Sequence, residues 1–243
     1  MIPPVRAILF DVLHTLVDDS GFPRFQLRRL LAEAGIDLEE GEFEEVYRTL
    51  SKKEYDWEAA AEEEPFRSIR DRHHSRLTAL YEHFGWNEHR DLERDIELLW
   101  QRIATSGLYP EVSEVLPTLA ERGYRLALIS NADEDDPVIR VILGAGLPVT
   151  FEAVVTSQGA GAYKPAARIF EHALWKLDLE PVETVFVGDS PASDILGGSR
   201  AGLSTIWVNR WGGEYPDRYP RPDATVTDLT GLLNLLPGVD ESG

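Results

Sequence analysis

Val5-Arg6-Ala7-Ile8-Leu9-Phe10-Asp11-Val12-Leu13-His14-Thr15-Leu16 is the stretch that decides how this chain reads. From Ala7 to Phe10 it is apolar without polar alternation, the pattern of a short strand buried on both faces. The run ends in a carboxylate, Asp11. Open α/β sheets build their sites at the carboxyl ends of such strands, and an aspartate is a competent covalent nucleophile for phosphoryl transfer. Two residues on stands Leu13, whose side chain cannot carry a proton.

Downstream, the pattern is helical from Arg24 to about Thr105. Phe25, Leu27, Leu30 and Leu31 suit one amphipathic face, and Phe43, Val46, Tyr47 and Leu50 a second. A third segment runs from Phe66 to Phe84 through Ile69, Leu77, Leu80 and Tyr81. A fourth, Leu92 to Ile103, carries Ile96, Leu99 and Trp100. Gly35 and Gly85 suit helix ends. Beyond Tyr109-Pro110 helices alternate with β-rich runs at Leu126–Ile129, Val154–Thr156, Thr184–Val187, Thr205–Val208 and Ala224–Val226. That alternation predicts parallel βαβ units covered on both faces. The expected architecture is α/β: a doubly wound parallel-sheet core of residues 1–16 and 106–243, with an all-helical cap domain, 17–105, inserted after the first strand.

Composition narrows the class. The chain has 243 residues, 43% of them hydrophobic and 28% charged, which fits a globular protein with a large core. It has no cysteine, so disulfides, thiolate metal sites and a cysteine nucleophile are excluded. No apolar run reaches membrane-spanning length. Met1-Ile2-Pro3-Pro4 does not open a secretory signal, and the cytoplasm is the expected compartment. With a net charge of −19 and no Lys/Arg run, nucleic acid and anionic membrane are not expected partners. A monomer or homodimer is compatible with the sequence. The acidic clusters Glu39-Glu40, Glu44-Glu45 and Glu62-Glu63-Glu64 read as solvated helix faces.

Three further signals lie at or after expected strands. Leu126–Ile129 delivers Ser130-Asn131, whose hydroxyl and backbone N–H groups suit phosphoryl oxygens. Lys164, before Pro165, supplies an ammonium that offsets an attacking carboxylate and a phosphate dianion. Val185-Phe186-Val187-Gly188-Asp189 is followed by Asp194. Those two carboxylates, with Asp11, make a hard oxygen site suited to Mg²⁺, and the Leu13 carbonyl could add a ligand without need of a side chain. The expected catalytic residues are Asp11, Ser130 and Lys164. Ser130, Asn131 and Lys164 are expected to bind substrate; Asp11, Leu13 through its carbonyl, Asp189 and Asp194 are expected to bind metal. Singly, each is as well explained by turn or capping chemistry; their order and shared place at strand ends make the site.

In that order the chain resembles the haloacid dehalogenase-like superfamily of hydrolases, in the branch with a helical cap after the first motif. Phe10 to Leu16 matches the first motif and Ile129-Ser130-Asn131 the second. Lys164-Pro165 with Arg168-Ile169-Phe170 matches the third, and Gly188-Asp189-Ser190 with Asp194 the fourth. Gly198 through Gly202 and Trp207-Val208-Asn209-Arg210 also resemble the family's continuation. The resemblance implies a Rossmann-like core, an aspartyl intermediate and, usually, Mg²⁺-dependent phosphatase activity on a small phosphorylated metabolite.

Leu13 departs from that pattern, because the family's phosphatases carry an aspartate there as acid and base. Its loss would cost ~10²–10⁴ in rate. Acyl and aryl phosphates, whose leaving groups depart as anions, should suffer least. The departure leaves open a metal-independent 2-haloacid dehalogenase, in which halide leaves without an acid, and a catalytically weak protein that binds a ligand or partner. His14, where the family usually has glycine, reads as a turn residue or a substitute proton carrier. In the cap, Arg67, Arg70, Arg72, His73 and His74 are expected to pair with glutamates on a solvated face, with substrate contact as the alternative. Trp57 and Trp100 read as core fillers. Asp133, Glu134, Asp135 and Asp136 read as a solvated loop and helix start, and Trp211-Gly212-Gly213 as a flexible loop near the site.

Overall fold

The structure is a computed structural model that describes residues 2–18, 28, 32, 40–54, 56–63, 65–86, 91–103 and 105–239. The helical face expected at Phe25, Leu27, Leu30 and Leu31, and the stop at Gly35, lie outside those residues.

Strand β1 (Ala7–Phe10) is buried along its whole length because it is central. It pairs in parallel with β4 (Arg125–Ser130) on one side and β6 (Thr184–Gly188) on the other. With β5 (Phe151–Thr156), β7 (Ser204–Val208) and β8 (Ala224–Val226) they form a six-stranded sheet of order β5-β4-β1-β6-β7-β8, with every adjacent pair parallel. Alternate residues go to opposite faces. Ile8, Phe10, Leu126 and Leu128 join one core with Val115, Leu119 and Val138. Ala7, Leu9, Ala127 and Ile129 join another with Phe170, Ala173 and Leu174. The first set of helical residues belongs to α5 (Val112–Glu121) and α6 (Pro137–Gly144), the second to α8 (Ala167–Leu177). Between α6 and α8 lies the single turn α7 (Ser157–Ala160). Because β4 and β6 flank β1 from opposite directions of winding, the crevice beyond their carboxyl ends is where an open sheet takes its ligand.

The insert after β1 is helical: α1 (Glu40–Glu54), α2 (Trp57–Ala61), α3 (Ile69–Phe84) and α4 (Leu92–Ile103). Phe43, Tyr47, Leu77, Leu80, Tyr81, Ile96 and Leu99 give it a core of its own. Helix α3 begins at Ile69, later than its apolar pattern suggests. A reciprocal capping box between Ser68 and Asp71 satisfies its first N–H groups. Gly85 ends it in the left-handed region, at φ 69°. One feature had no signal in the pattern: β2 (Val17–Asp18) pairs antiparallel with β3 (Gly107–Leu108). This ribbon joins the chain leaving the core to the chain returning. No described helix is long and apolar enough to cross a membrane.

Two expectations, one in the insert and one in the core beneath it, need correction. Arg72 and His73 lie on the buried face of α3, not a solvated one, as does Arg76. The expected pairing with glutamate does occur: Arg67 and Arg72 meet Glu63, Arg70 meets Glu97, and His74 meets Glu93. Asp133 and Asp136 are also buried, although they were expected in a solvated loop. Asp136 caps α6 by accepting from Val138 N, and burial pushes its carboxyl up to about 7. Asp133 accepts from Ile69 N at 2.8 Å and Arg70 N at 2.9 Å, docking the core on the first turn of α3. Tyr163 makes a second dock. Its hydroxyl donates to Arg67 O at 2.6 Å, and its ring stacks against Trp57 and Phe66.

Candidate active site

Asp11 is the first residue past β1, and its N–H is tied to Val187 O of β6 at 2.9 Å. Its carboxylate is nearly sealed from solvent, at 7% exposure. Lys164 Nζ donates to Asp11 Oδ1 at 2.6 Å, and Thr15 Oγ1 donates to Asp11 Oδ2 at 2.9 Å. The two oxygens are thus distinguished by their partners, and the carboxylate cannot rotate freely. Thr15, wholly buried, was not singled out from the sequence. Only its spacing from the strand end marked it.

Lys164 is 1% exposed and lies 2.8 Å from Asp194 Oδ1 as well. Its ammonium also donates to Ile129 O at 3.1 Å, which links it to the end of β4. Burial opposes its charge, but the Asp11 and Asp194 carboxylates outweigh that and hold it above the usual lysine range. The backbone around it is splinted by Asn131. Lys164 N donates to Asn131 Oδ1 at 2.8 Å, and Asn131 Nδ2 donates to Lys164 O at 3.2 Å. The side chain of Asn131 therefore positions Lys164, which leaves its backbone N–H as its means of contacting a ligand. Ser130 closes β4 and is buried beside this group.

Asp189 follows β6, where Trp207 Nε1 holds its carbonyl at 2.8 Å. Asp194 sits in a tight π-type turn, Pro191–Ile195. Its Oδ2 accepts from Ser190 N at 2.9 Å and its Oδ1 from Ser193 Oγ at 3.2 Å. Gly188 is required here because a Cβ on it would run into the Asp194 carboxylate. Carboxylate oxygens of Asp11, Asp189 and Asp194 all lie within 4.8 Å of one another. Burial raises the Asp189 carboxyl well above its usual range, and the charges of Asp11 and Asp194 add to the shift. Burial lifts Asp194 to about 6 against the pull of Lys164. Three carboxylates thus face one ammonium. The residual negative charge in a group of hard oxygen donors fits a divalent cation. The Leu13 carbonyl accepts no backbone hydrogen bond among the described residues, because the bridge between Leu13 and Val17 runs through the Val12 and Val17 carbonyls.

The structure therefore brings Asp11, Lys164, Asp189 and Asp194 together, with Ser130 and Asn131 at the adjoining strand end. His14 takes a left-handed turn conformation at φ 64° and packs edge-on against Trp211, 5.6 Å between ring centroids. Burial lowers its imidazole pKa, partly countered by Asp18. Trp100 is buried as expected, and Trp57 is spent on Tyr163.

A buried carboxylate, a lysine and two further acids at the switch point of a parallel sheet, beneath a helical insert, define a capped α/β hydrolase. The chain belongs to the haloacid dehalogenase-like hydrolase family, whose pattern it matches over residues 5–202. It is 30% identical over 235 residues to the glyceraldehyde 3-phosphate phosphatase of Methanopyrus kandleri, covering 93% of this chain and 92% of that one. It is also 30% identical to the N-acylneuraminate-9-phosphatase of Rattus norvegicus, over 97% and 95% of the two chains. Its fold is similar to that of the HAD hydrolase YfnB from Bacillus subtilis bound to magnesium, with TM-score 0.79, 22% identity, and coverage of 97% and 100%.

Proposed function

We propose that this protein is a Mg²⁺-dependent phosphatase of a small phosphorylated metabolite, acting through an aspartyl-phosphate on Asp11. The observation that carries the reading is the cluster of three carboxylates, two of them buried and paired with Lys164, set at the sheet's switch point. The two phosphatases to which the chain is similar support it. In this reading residues 1–16 and 106–243 are the catalytic core and 17–105 the cap.

Asp11 attacks phosphorus with one carboxylate oxygen while the bond to the leaving oxygen breaks. Water then attacks the phosphorus of the acyl phosphate, releasing inorganic phosphate and restoring the carboxylate. Thr15 and Lys164 hold the nucleophile in one orientation. Lys164 offsets the charge of carboxylate and dianion, and Ser130 with the Asn131 N–H receives phosphoryl oxygens. Mg²⁺, held by Asp11, Asp189, Asp194 and the Leu13 carbonyl, would supply charge neutralisation between nucleophile and phosphate.

Leu13 shapes what such a site can hydrolyse. With no acid two residues past the nucleophile, the leaving oxygen departs as an anion. The missing help is ~3–5.5 kcal/mol of barrier for a poor leaving group. Acyl and aryl phosphates are the favoured substrates. The same leucine is compatible with halide displacement from carbon. A 2-haloacid dehalogenase is the second reading, disfavoured by the two extra carboxylates beside Asp11, a donor set that suits a divalent cation. A protein that binds phosphorylated ligand with little turnover is the third.

A panel of phosphate compounds, including acetyl phosphate and p-nitrophenyl phosphate, with Mg²⁺ or EDTA tests the reading. Release that depends on both Mg²⁺ and Asp11 is expected. Halide release from 2-haloacids without metal, and no phosphate release, would replace it with the second reading.

A further inference from the structure

Arg210 lies two residues past the end of β7, and its side chain is 9% exposed. All three guanidinium nitrogens donate. Nε donates to His14 O at 3.1 Å, Nη2 to Thr15 O at 2.7 Å, and Nη1 to Glu111 Oε1 at 2.6 Å. The plane lies over the Tyr109 ring, 3.6 Å from its centroid. These partners come from two places. His14 and Thr15 lie just before the ribbon strand β2, separated from it by Leu16; Tyr109 and Glu111 lie one and three residues past β3. Tyr109 N–H also donates to Leu16 O at 3.0 Å, closing the two linkers on each other.

We propose that Arg210 is a positioning residue for Asp11: by gripping the His14 and Thr15 carbonyls it fixes the Thr15 hydroxyl that orients the nucleophilic carboxylate. The proposal rests on the reading of Asp11 as nucleophile. Two donors from one rigid plane, aimed at consecutive carbonyls, fix both place and tilt of that turn, which a lysine's single flexible ammonium cannot do. The turn needs such a hold because His14 occupies the left-handed region without being glycine. Glu111 balances the charge, and Tyr109 covers the face, so Arg210 is itself locked. The pin stands where the helical insert leaves and re-enters the core, so seating of the cap and orientation of Asp11 share one side chain.

The test compares wild type with Arg210→Gln, Arg210→Lys, Thr15→Val and the double variant Arg210→Gln/Thr15→Val, on p-nitrophenyl phosphate with Mg²⁺. Arg210→Gln is expected to lower kcat by about ten- to a hundredfold and to leave KM within about twofold. Arg210→Lys should recover part of the loss. The double variant should be no slower than the slower single one, because both changes act through the same hydroxyl. A crystal structure of Arg210→Gln should show the Asp11 carboxylate turned away from Thr15. Multiplying effects of the two changes, or an unmoved Asp11 in that crystal structure, would overturn the proposal. Should Arg210→Gln fail to fold, Glu111→Gln, which loosens the arginine without removing it, must lower kcat with KM kept, or the proposal fails. If the wild type shows no Asp11-dependent turnover, the phosphatase reading falls, and the orientation of Asp11 in the variant crystal still decides the role of Arg210.

Discussion

Strand β1 and the inward face of helix α3 are both buried, yet they are built from opposite materials. Ala7 to Phe10 presents only apolar side chains to the two faces of the sheet, and the charge waits one residue past the end, at Asp11. The buried face of α3 reads Ile69, Arg72, His73, Arg76, Leu77, Leu80 and Tyr81, so three of its seven residues are cationic or imidazole. Those groups are accommodated by aromatic faces and acids: Arg72 lies over Tyr163 and meets Glu63, Arg76 lies over Tyr47, and His73 packs edge-on to Trp100. Burial and the neighbouring Arg76 and Arg70 push the His73 pKa well down, which keeps the ring neutral. A core strand buries surface to stabilise the fold. A cap helix that docks on a site buries polar groups that specify how it seats. The difference separates the strand that carries the candidate site from the helix that docks the insert on the core.

The largest effects should fall at the strand ends. Asp11→Asn is expected to reduce phosphate release by about a thousandfold or more, read by steady-state assay, with little change in melting temperature. Lys164→Met removes the cation paired with the buried carboxylates of Asp11 and Asp194. It should abolish turnover and cost about 3–5 kcal/mol in denaturant unfolding at neutral pH. Recovery of stability on acidification, as Asp194 takes up a proton, would identify the cause. Next comes Leu13→Asp, which should raise turnover of alkyl phosphates more than of aryl phosphates. Equal or lower turnover on both would remove the account of the leaving group.

On the cap side the effects should be smaller and of another kind. Asp133→Ala leaves the N–H groups of Ile69 and Arg70 without their acceptor. A loss of about 1–2 kcal/mol is expected, together with faster proteolysis of the insert and a higher KM. An unchanged cleavage pattern would break the contrast between the two regions. The smallest effect is a matter of pH. Burial lifts Asp136 from 3.8 to about 7. A carboxyl raised on folding destabilises the folded state once ionised, so this penalty is absent below the unfolded value and grows as pH rises through about 7. Asp136→Asn keeps an N-cap acceptor and should raise the melting temperature at pH 8 by roughly 2–4 °C per kcal/mol relieved. At a pH near 4 it should do nothing. A gain at both pH values would contradict the cause.

What was legible in the sequence follows the same division. The strands β4 to β8, and the candidate site residues at their ends, are marked by apolar runs ending at Ser130, Asp189 and their companions. A central parallel strand leaves an unbroken apolar stretch, and reactive groups can project only where it stops. The ribbon of β2 and β3 was invisible, since two residues per strand carry no period. Asp133, Tyr163 and Arg210 carry no signal in the sequence because their partners are distant along the chain, such as Ile69 for Asp133 and His14 for Arg210, and Thr15 reaches Asp11 through a turn that no period marks. The buried arginines of α3 were misread for a related reason: charge predicts solvent unless an aromatic face and an acid from other elements are there to receive it.

Single-turnover hydrolysis of acetyl phosphate or p-nitrophenyl phosphate in heavy-oxygen water, with Mg²⁺ and enzyme in excess, tests the central claim most directly. Attack of water on the phosphorus of an aspartyl-phosphate puts the heavy oxygen in inorganic phosphate and leaves Asp11 unlabelled, and that is the expected result. Heavy oxygen found in the Asp11 carboxylate after turnover, or phosphate released equally by Asp11→Asn, would contradict it.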